Sequence, residues 1–561
     1  MRNRSYVFII VVVVCSTVFN SLCVSADVPF ITPAPKGLTW KNFSVELGSD
    51  WKILITNRNE IIGIAEYLRN ELSDKAGIFP GTQKMPTTRF DKSIMLFLAT
   101  EKLPDTVKNK GFSFPDNLGK EGYALEVFDD CILIVAEEPS GVFYGVGTLL
   151  QMIDTKDGKT TVPAAKIADF PNVKIRGVHI LDPDPDRLKG MIDVMARLKM
   201  NFFIVSTWKL FDLDKGDNAQ KFQEAFAYAR RLFMEPVPEL AGFGQGGPIL
   251  TKEPYAAEGI WVEDELYRFR GDKAEPVFGS KSNLSNLIRT DESNVVITDT
   301  SKSVIYKEGI DYRIVDGETV YPFLPSNRPA EIARVPSGSI KDMQQVLLSY
   351  DYVENKCAKW APWSIPFCPS SKLTYKAMFK SLEGVVALLQ PKYISIANDE
   401  VRGMNRDSRC RKRNITNAEL LADEINRLND FVRSASPETR LMMWDDMLNP
   451  WHNGGDEKYQ VQFGGPTGKT SGAIGLIPKD VVMMVWWYDA DDWLSKMKNS
   501  PDYFESNGFS YIGAAYKDVK NIKEWGNLIS KRPKCMGLIT TTWDGWDKNM
   551  DGIKYTAEEA W

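Results

Sequence analysis

The sequence predicts an α/β protein: a (β/α)8 TIM-type barrel preceded by a small α+β domain. Three observations carry this. Across residues 171–561, eight short apolar segments are separated by helical patterns or loops, and eight strands close such a barrel. Across 27–170, strand and helix patterns alternate around a hairpin, which fits one layer of strands and one of helices. About 150 residues separate the third and fourth apolar segments, and part of them, at about 285–345, reads as a β-rich insertion.

The first unit follows in order. Trp51 to Ile55 reads as a strand, Ile61 to Leu72 as a helix, and Ser93 to Leu98 as a strand. Tyr123 to Val127 and Cys131 to Val135 make a hairpin around Asp129-Asp130. Gly141 to Met152 carries Val142, Val146, Leu149 and Leu150 on one helical face.

The barrel strands are expected at Val173–Leu181, Asn201–Ser206, Glu235–Leu240, Tyr393–Ala397, Leu441–Asp445, Val481–Tyr488, Phe509–Ala515 and Met536–Trp543. Helices are expected at Leu188–Leu198, Gln220–Leu232, Tyr375–Leu389 and Asn417–Ser434, with the eighth nearly absent. Within the insertion, Asn294–Thr298, Tyr312–Val315 and Glu331–Val335 are short and turn-bounded. Such a unit either shapes the mouth of a site or serves as a docking appendage.

Arg2 and Arg4, an apolar run from Tyr6, and Val24-Ser25-Ala26 form a signal peptide at 1–26, so a secreted or periplasmic protein is expected; an uncleaved anchor is the alternative. No other run is long and apolar enough to span a bilayer. The net charge of −5, with acids and bases interspersed, gives no basic face for nucleic acid. Five cysteines follow the cleavage point, Cys131, Cys357, Cys368, Cys410 and Cys535, and their spacings match no metal motif. Export would permit Cys357 and Cys368 to pair across a loop. No metal or organic cofactor is expected.

Asp399 and Glu400 end the fourth apolar segment, Tyr393-Ile394-Ser395-Ile396-Ala397-Asn398. Carboxylates there are costly to desolvate, and barrels of this kind carry their chemistry at strand C-termini. A helix N-terminal acidic pair is the plain alternative. One reading of Arg176 is an ion-pair partner at the barrel floor. Trp208 and Trp444, Trp486, Trp487 and Trp543 are candidates for a stacking wall, but one of Trp486 and Trp487 must face the helix layer. Asp445 and Asp446 either support the site or cap the next loop. Arg402, Arg406, Arg409, Arg411, Lys412 and Arg413 either meet an anionic sugar or form a solvated loop.

Several of these segments resemble glycoside hydrolase family 20, the β-N-acetylhexosaminidases. Glu121 to Val127 and Ser140 to Gln151 look like the small domain before that family's barrel. Phe170-Pro171 with Arg176-Gly177, Lys199-Met200-Asn201, Tyr228-Ala229-Arg230 with Pro238-Glu239, and Asn398-Asp399-Glu400-Val401 resemble its barrel motifs. The resemblance implies substrate-assisted, retaining removal of terminal N-acetylhexosamine from a glycan. Glu400 would be the general acid and Asp399 would orient the acetamido group. Arg176, Trp208, Trp444, Trp487, Tyr516 and Trp543 would bind sugar, with Tyr488 the alternative to Tyr516. The chain departs from the family where a histidine and acidic residues are usual. Ser206 to Leu210 follows the second strand, Leu240 to Gln245 follows Pro238-Glu239, and Asn398 replaces a glycine. A carbohydrate-binding barrel without turnover, a barrel hydrolase of another sugar, and a docking role for the insertion are the other readings.

Overall fold

The computed structural model describes residues 29–85, 90–455, 469–489, 491 and 494–561. The signal segment at 1–26 lies outside the described residues.

In the first unit, Ser93–Leu98 and the Tyr123–Val127 and Cys131–Ala136 hairpin pair within one mixed sheet. Gly37–Leu47 and Lys159–Asp169, both long strands, close one side of it. Helices Asn59–Ala76 and Pro139–Met152 cover one face, burying Ile61, Ile64, Leu68, Val142, Val146 and Leu149. Each such side chain removed from water contributes about 1.5–3 kcal/mol.

Eight parallel strands close the barrel: Ile175–Leu181, Phe202–Ser206, Glu235–Glu239, Tyr393–Ser395, Arg440–Trp444, Val482–Trp486, Tyr511–Ala515 and Cys535–Thr541. Side chains alternate along each strand. Phe202 and Ile204 fill the barrel interior, whereas Phe203 and Val205 pack against the helices. Met442 and Trp444 point in, and Met443 points out. The last helix corrects an expectation: Met550–Ala560 is a full helix, and Trp561 behind it is buried. Its apolar residues Ile553, Ala557 and Ala560 are interleaved with charged ones, which weakens the periodic signal.

A third, antiparallel sheet occupies the chain between barrel strands three and four. It is built around Ile260–Arg270 paired with Gln345–Tyr352, so it reaches beyond 285–345. It has its own core of Val262, Tyr267, Phe269, Ile297, Leu348 and Tyr350. Trp261 N–H donates to the Arg406 carbonyl, which ties the sheet to the loop after barrel strand four.

The first unit and the barrel meet at the barrel floor through a buried ion pair. Lys199 Nζ lies 2.8 Å from Asp169 Oδ2, with both side chains fully buried, and Trp561 Nε1 donates to the same oxygen at 2.7 Å. Burial lowers the Lys199 ammonium to about 8 despite the neighbouring Asp169.

Candidate active site

Barrel strand four ends at Ser395, and the backbone then turns sharply. Ala397, Asn398 and Glu400 all take left-handed conformations, with φ of 52°, 59° and 47°. Each such non-glycine residue costs about 1–3 kcal/mol unless its surroundings hold it. Here they do. Trp444 N–H donates to the Ala397 carbonyl at 2.9 Å. Asn398 accepts from the Phe243 amide at 2.8 Å and donates to Glu424 Oε2 at 2.7 Å. Glu400 N–H donates to Asp446 Oδ2 at 2.8 Å.

The loop after barrel strand three lies directly against this turn. A Cβ on Gly242 would stand 1.9 Å from the Ile396 carbonyl oxygen, and one on Gly244 would stand 2.0 Å from that of Asp399. The glycines are therefore the residues that let two backbones touch.

Asp399 and Glu400 are both partly exposed, and Asp446 behind them is fully buried. Burial pushes the Asp399 carboxyl well above its ordinary range, and Asp446, Glu400 and Glu239 push the same way. Burial raises Glu400 to about 7; Arg402 opposes the rise and Asp446 adds to it. Arg402 Nη2 lies 2.8 Å from Glu400 Oε2. Burial also raises Asp446, against hydrogen bonds from Asn453, the Glu400 amide and Trp486. The arrangement is a cluster of carboxyl groups that favours retained protons near neutrality.

Aromatic rings surround it. Trp444 is buried in the barrel interior, with its ring 5.3 Å from His179 and 5.5 Å from Trp543. Trp543 Nε1 donates to the Tyr488 hydroxyl at 2.9 Å, and Tyr488 stacks on Trp486 at 5.0 Å. Trp208 is 42 % exposed on the rim, edge-on to Tyr321 of the inserted segment. His179 Nε2 pairs with Glu239 Oε1 at 2.9 Å on the inner wall.

Three expected sugar ligands stand elsewhere or stand differently. Arg176 lies at the opposite end of the barrel. Its guanidinium binds Glu121 at 2.9 Å and sits over the Trp561 ring, because it belongs to the start of strand one. Trp487 faces the helix layer, where Nε1 donates to Ser500 Oγ at 2.9 Å; Trp486, one residue earlier, faces inward. Tyr516 is beside Tyr488 at 5.4 Å, but its hydroxyl interacts with Lys517 and Asp544. Tyr488 is the tyrosine whose titration feels Asp399.

Of the basic run, Arg402 serves Glu400, Arg409 is buried against Asp407, and Arg413 pairs with Asp423. The described cysteines are all unbridged, and Cys368 faces Cys410 at 3.5 Å rather than Cys357. Sequence reading missed the His179–Glu239 and Asn398–Glu424 pairs. Glu424 did leave a signal: it follows Leu420 by four residues and precedes Leu428 by four, on the buried face of its helix.

Residues 28–170 match the family model "Glycosyl hydrolase family 20, domain 2". A stretch of 92 residues is 28% identical to lacto-N-biosidase of Bifidobacterium bifidum, spanning 16% of this chain and 8% of that protein. The fold is similar to that of Flavobacterium johnsoniae chitobiase, with 17% identity, TM-score 0.57, and coverage of 95% of this chain and 69% of that one. The β-N-acetylhexosaminidase of Bacteroides fragilis gives 14% identity and TM-score 0.58, over 95% of this chain and 90% of its own. The first unit is thus similar to a family 20 domain 2, and the chain as a whole shares the fold of these two solved structures.

Proposed function

We propose that the protein is a retaining glycoside hydrolase that removes terminal N-acetylhexosamine from glycans. The observation that carries this reading is the adjacent pair Asp399 and Glu400 at the end of barrel strand four, with Glu400 raised to about 7 by burial. A carboxyl group with that value holds a proton near neutrality and can pass it to a glycosidic oxygen. In this reading Glu400 protonates the leaving oxygen while the substrate's own acetamido oxygen attacks the anomeric carbon. Asp399 accepts the acetamido N–H and faces the positive charge that grows on that group. Substrate would thereby draw Asp399 toward its ionised form, against the burial and carboxylate repulsion that keep it protonated without substrate.

Trp444, Trp486 and Trp543 supply flat apolar faces for a sugar ring, and the Tyr488 hydroxyl is the donor we assign to the acetamido oxygen. Trp208 and the inserted segment at Tyr321 form the rim that a longer glycan would meet. Export through the N-terminal segment fits such a substrate. Among the described residues, no helix is long and apolar enough to cross a membrane.

Two observations favour a sugar-binding protein without turnover. Arg402 pairs with the proposed acid at 2.8 Å, and the loop after strand three offers glycines where the family usually carries acid and histidine. Release of nitrophenol from aryl N-acetyl-β-glucosaminide and galactosaminide separates the two. The hydrolase reading expects turnover that Glu400→Gln and Asp399→Asn abolish. Sugar binding with no turnover in the wild type would select the other reading, and activity on aryl glucosides without an acetamido group would point to a different sugar.

A further inference from the structure

Four buried side chains outside the carboxyl cluster converge on one point: Glu258, Cys368, Asp407 and Cys410, whose ligand atoms all lie within 4.8 Å of one another. Topology brings them together. Ala257 and Phe367 form an antiparallel bridge where the chain leaves for the inserted sheet and returns from it, which sets Glu258 beside Cys368. Asp407 caps the single helical turn Ser408–Arg411 by accepting from the Cys410 amide, which sets its carboxyl group beside Cys410. Cys410 Sγ is 3.5 Å from Cys368 Sγ and 3.3 Å from Glu258 Oε2.

We infer that this cluster is a structural zinc site. Tetrahedral zinc, with bonds of about 2.3 Å to sulfur and about 2.0–2.2 Å to oxygen, sets its ligands about 3.4–3.8 Å apart. The Cys368–Cys410 sulfur–sulfur and Cys410–Glu258 sulfur–oxygen separations fall close to that edge. Two thiolates and two carboxylates carry four negative charges, of which the ion and Arg409 offset three. Arg409 holds Asp407 Oδ2 through Nε at 2.9 Å, and the Cys410 backbone amide holds Oδ1 at 2.9 Å, so the carboxylate is fixed in place by donors that are not themselves ligand atoms. Glu258 Oε1 accepts from the Arg406 amide at 2.7 Å, which leaves Oε2 toward the sulfurs. With four protein ligands the site is closed, so it holds structure rather than activating water. Zinc binding releases the thiol protons and ties both ends of the inserted sheet to the loop that follows Glu400.

The test is the zinc content of the full chain, purified without chelator after growth in zinc-supplemented medium and measured by elemental and native mass spectrometry. About one zinc per chain is expected, and at least about a fivefold lower content in Cys368→Ser and Cys410→Ser. Cys131→Ser and Cys535→Ser should keep it. Should the serine variants fail to fold, the wild-type content and its loss to a zinc-binding chromophore still decide the matter. A wild-type chain without zinc, even after incubation with zinc chloride, overturns the inference. So does a mass lower by two hydrogens with a Cys368–Cys410 cross-linked peptide, which would make the pair a disulfide.

Discussion

Asp446 accepts the backbone N–H of Glu400 at 2.8 Å, so one buried carboxyl group both holds a left-handed backbone and helps keep the side chain that backbone carries protonated. Replacing it with asparagine keeps an acceptor and removes the charge. The Glu400 carboxyl should then ionise at lower pH. On a substrate with a poor leaving group, the alkaline limb of kcat/KM should move down the pH scale in Asp446→Asn, with thermal unfolding little changed. An unmoved limb would separate Asp446 from the titration.

Arg402 acts in the opposite sense, since its charge favours the ionised acid. With Glu400 near 7, the wild-type rate should fall about tenfold per pH unit above that value. In Arg402→Met the limb should move up the scale. Opposite displacements in the two variants are the outcome expected of one shared acid, and displacement in the same direction would refute it.

Gly244→Ala places a methyl group 2.0 Å from the Asp399 carbonyl oxygen, backbone against backbone. Neither strand end can yield without moving the acid pair. A loss of about 3 kcal/mol or more is expected by denaturant unfolding, together with loss of activity. Gly147→Ala, where a Cβ meets nothing within 4 Å, is the control and should be neutral or better.

Glu424 is fully buried beneath Asn398, and burial raises it to about 8 from 4.5. A raised carboxyl contributes stability at low pH and loses it as the pH climbs from 4.5 through about 8. The unfolding free energy should therefore decline over that window by up to about 1.4 kcal/mol per pH unit from this group. Glu424→Gln removes that slope, so the variant should be about 2–4 kcal/mol more stable than wild type near pH 8 and similar near pH 5. Urea unfolding at the two pH values tests it.

Trp486 and Trp487 are neighbours with different tasks. Trp487→Ala empties a packed site in the helix layer and should cost about 3–5 kcal/mol. Trp486→Ala should leave the fold nearly as stable but weaken sugar binding, read as a raised KM. The reverse pattern would place the sugar wall outside the barrel.

The sequence by itself determined the layers. Apolar runs such as Phe202–Ser206 and Val482–Trp486 are buried on both sides, so their strand character is written in composition, and the spacing of helices between them leaves a closed barrel as the solution. It also placed Asp399 and Glu400, because polar residues ending such a run are conspicuous. The tertiary structure decided what those residues touch. Arg176 carries the right chemistry for a sugar, yet it sits at the first turn of strand one, and only the closed barrel shows that this end is the floor. The register of strand six, set by its pairing with neighbours, turned Trp486 inward and Trp487 outward, since a shift of one residue reverses every side chain. Glu258, Cys368 and Cys410 are far apart in sequence, and no spacing rule reaches across an inserted sheet. Contacts of that kind come from packing, which local periodicity does not encode.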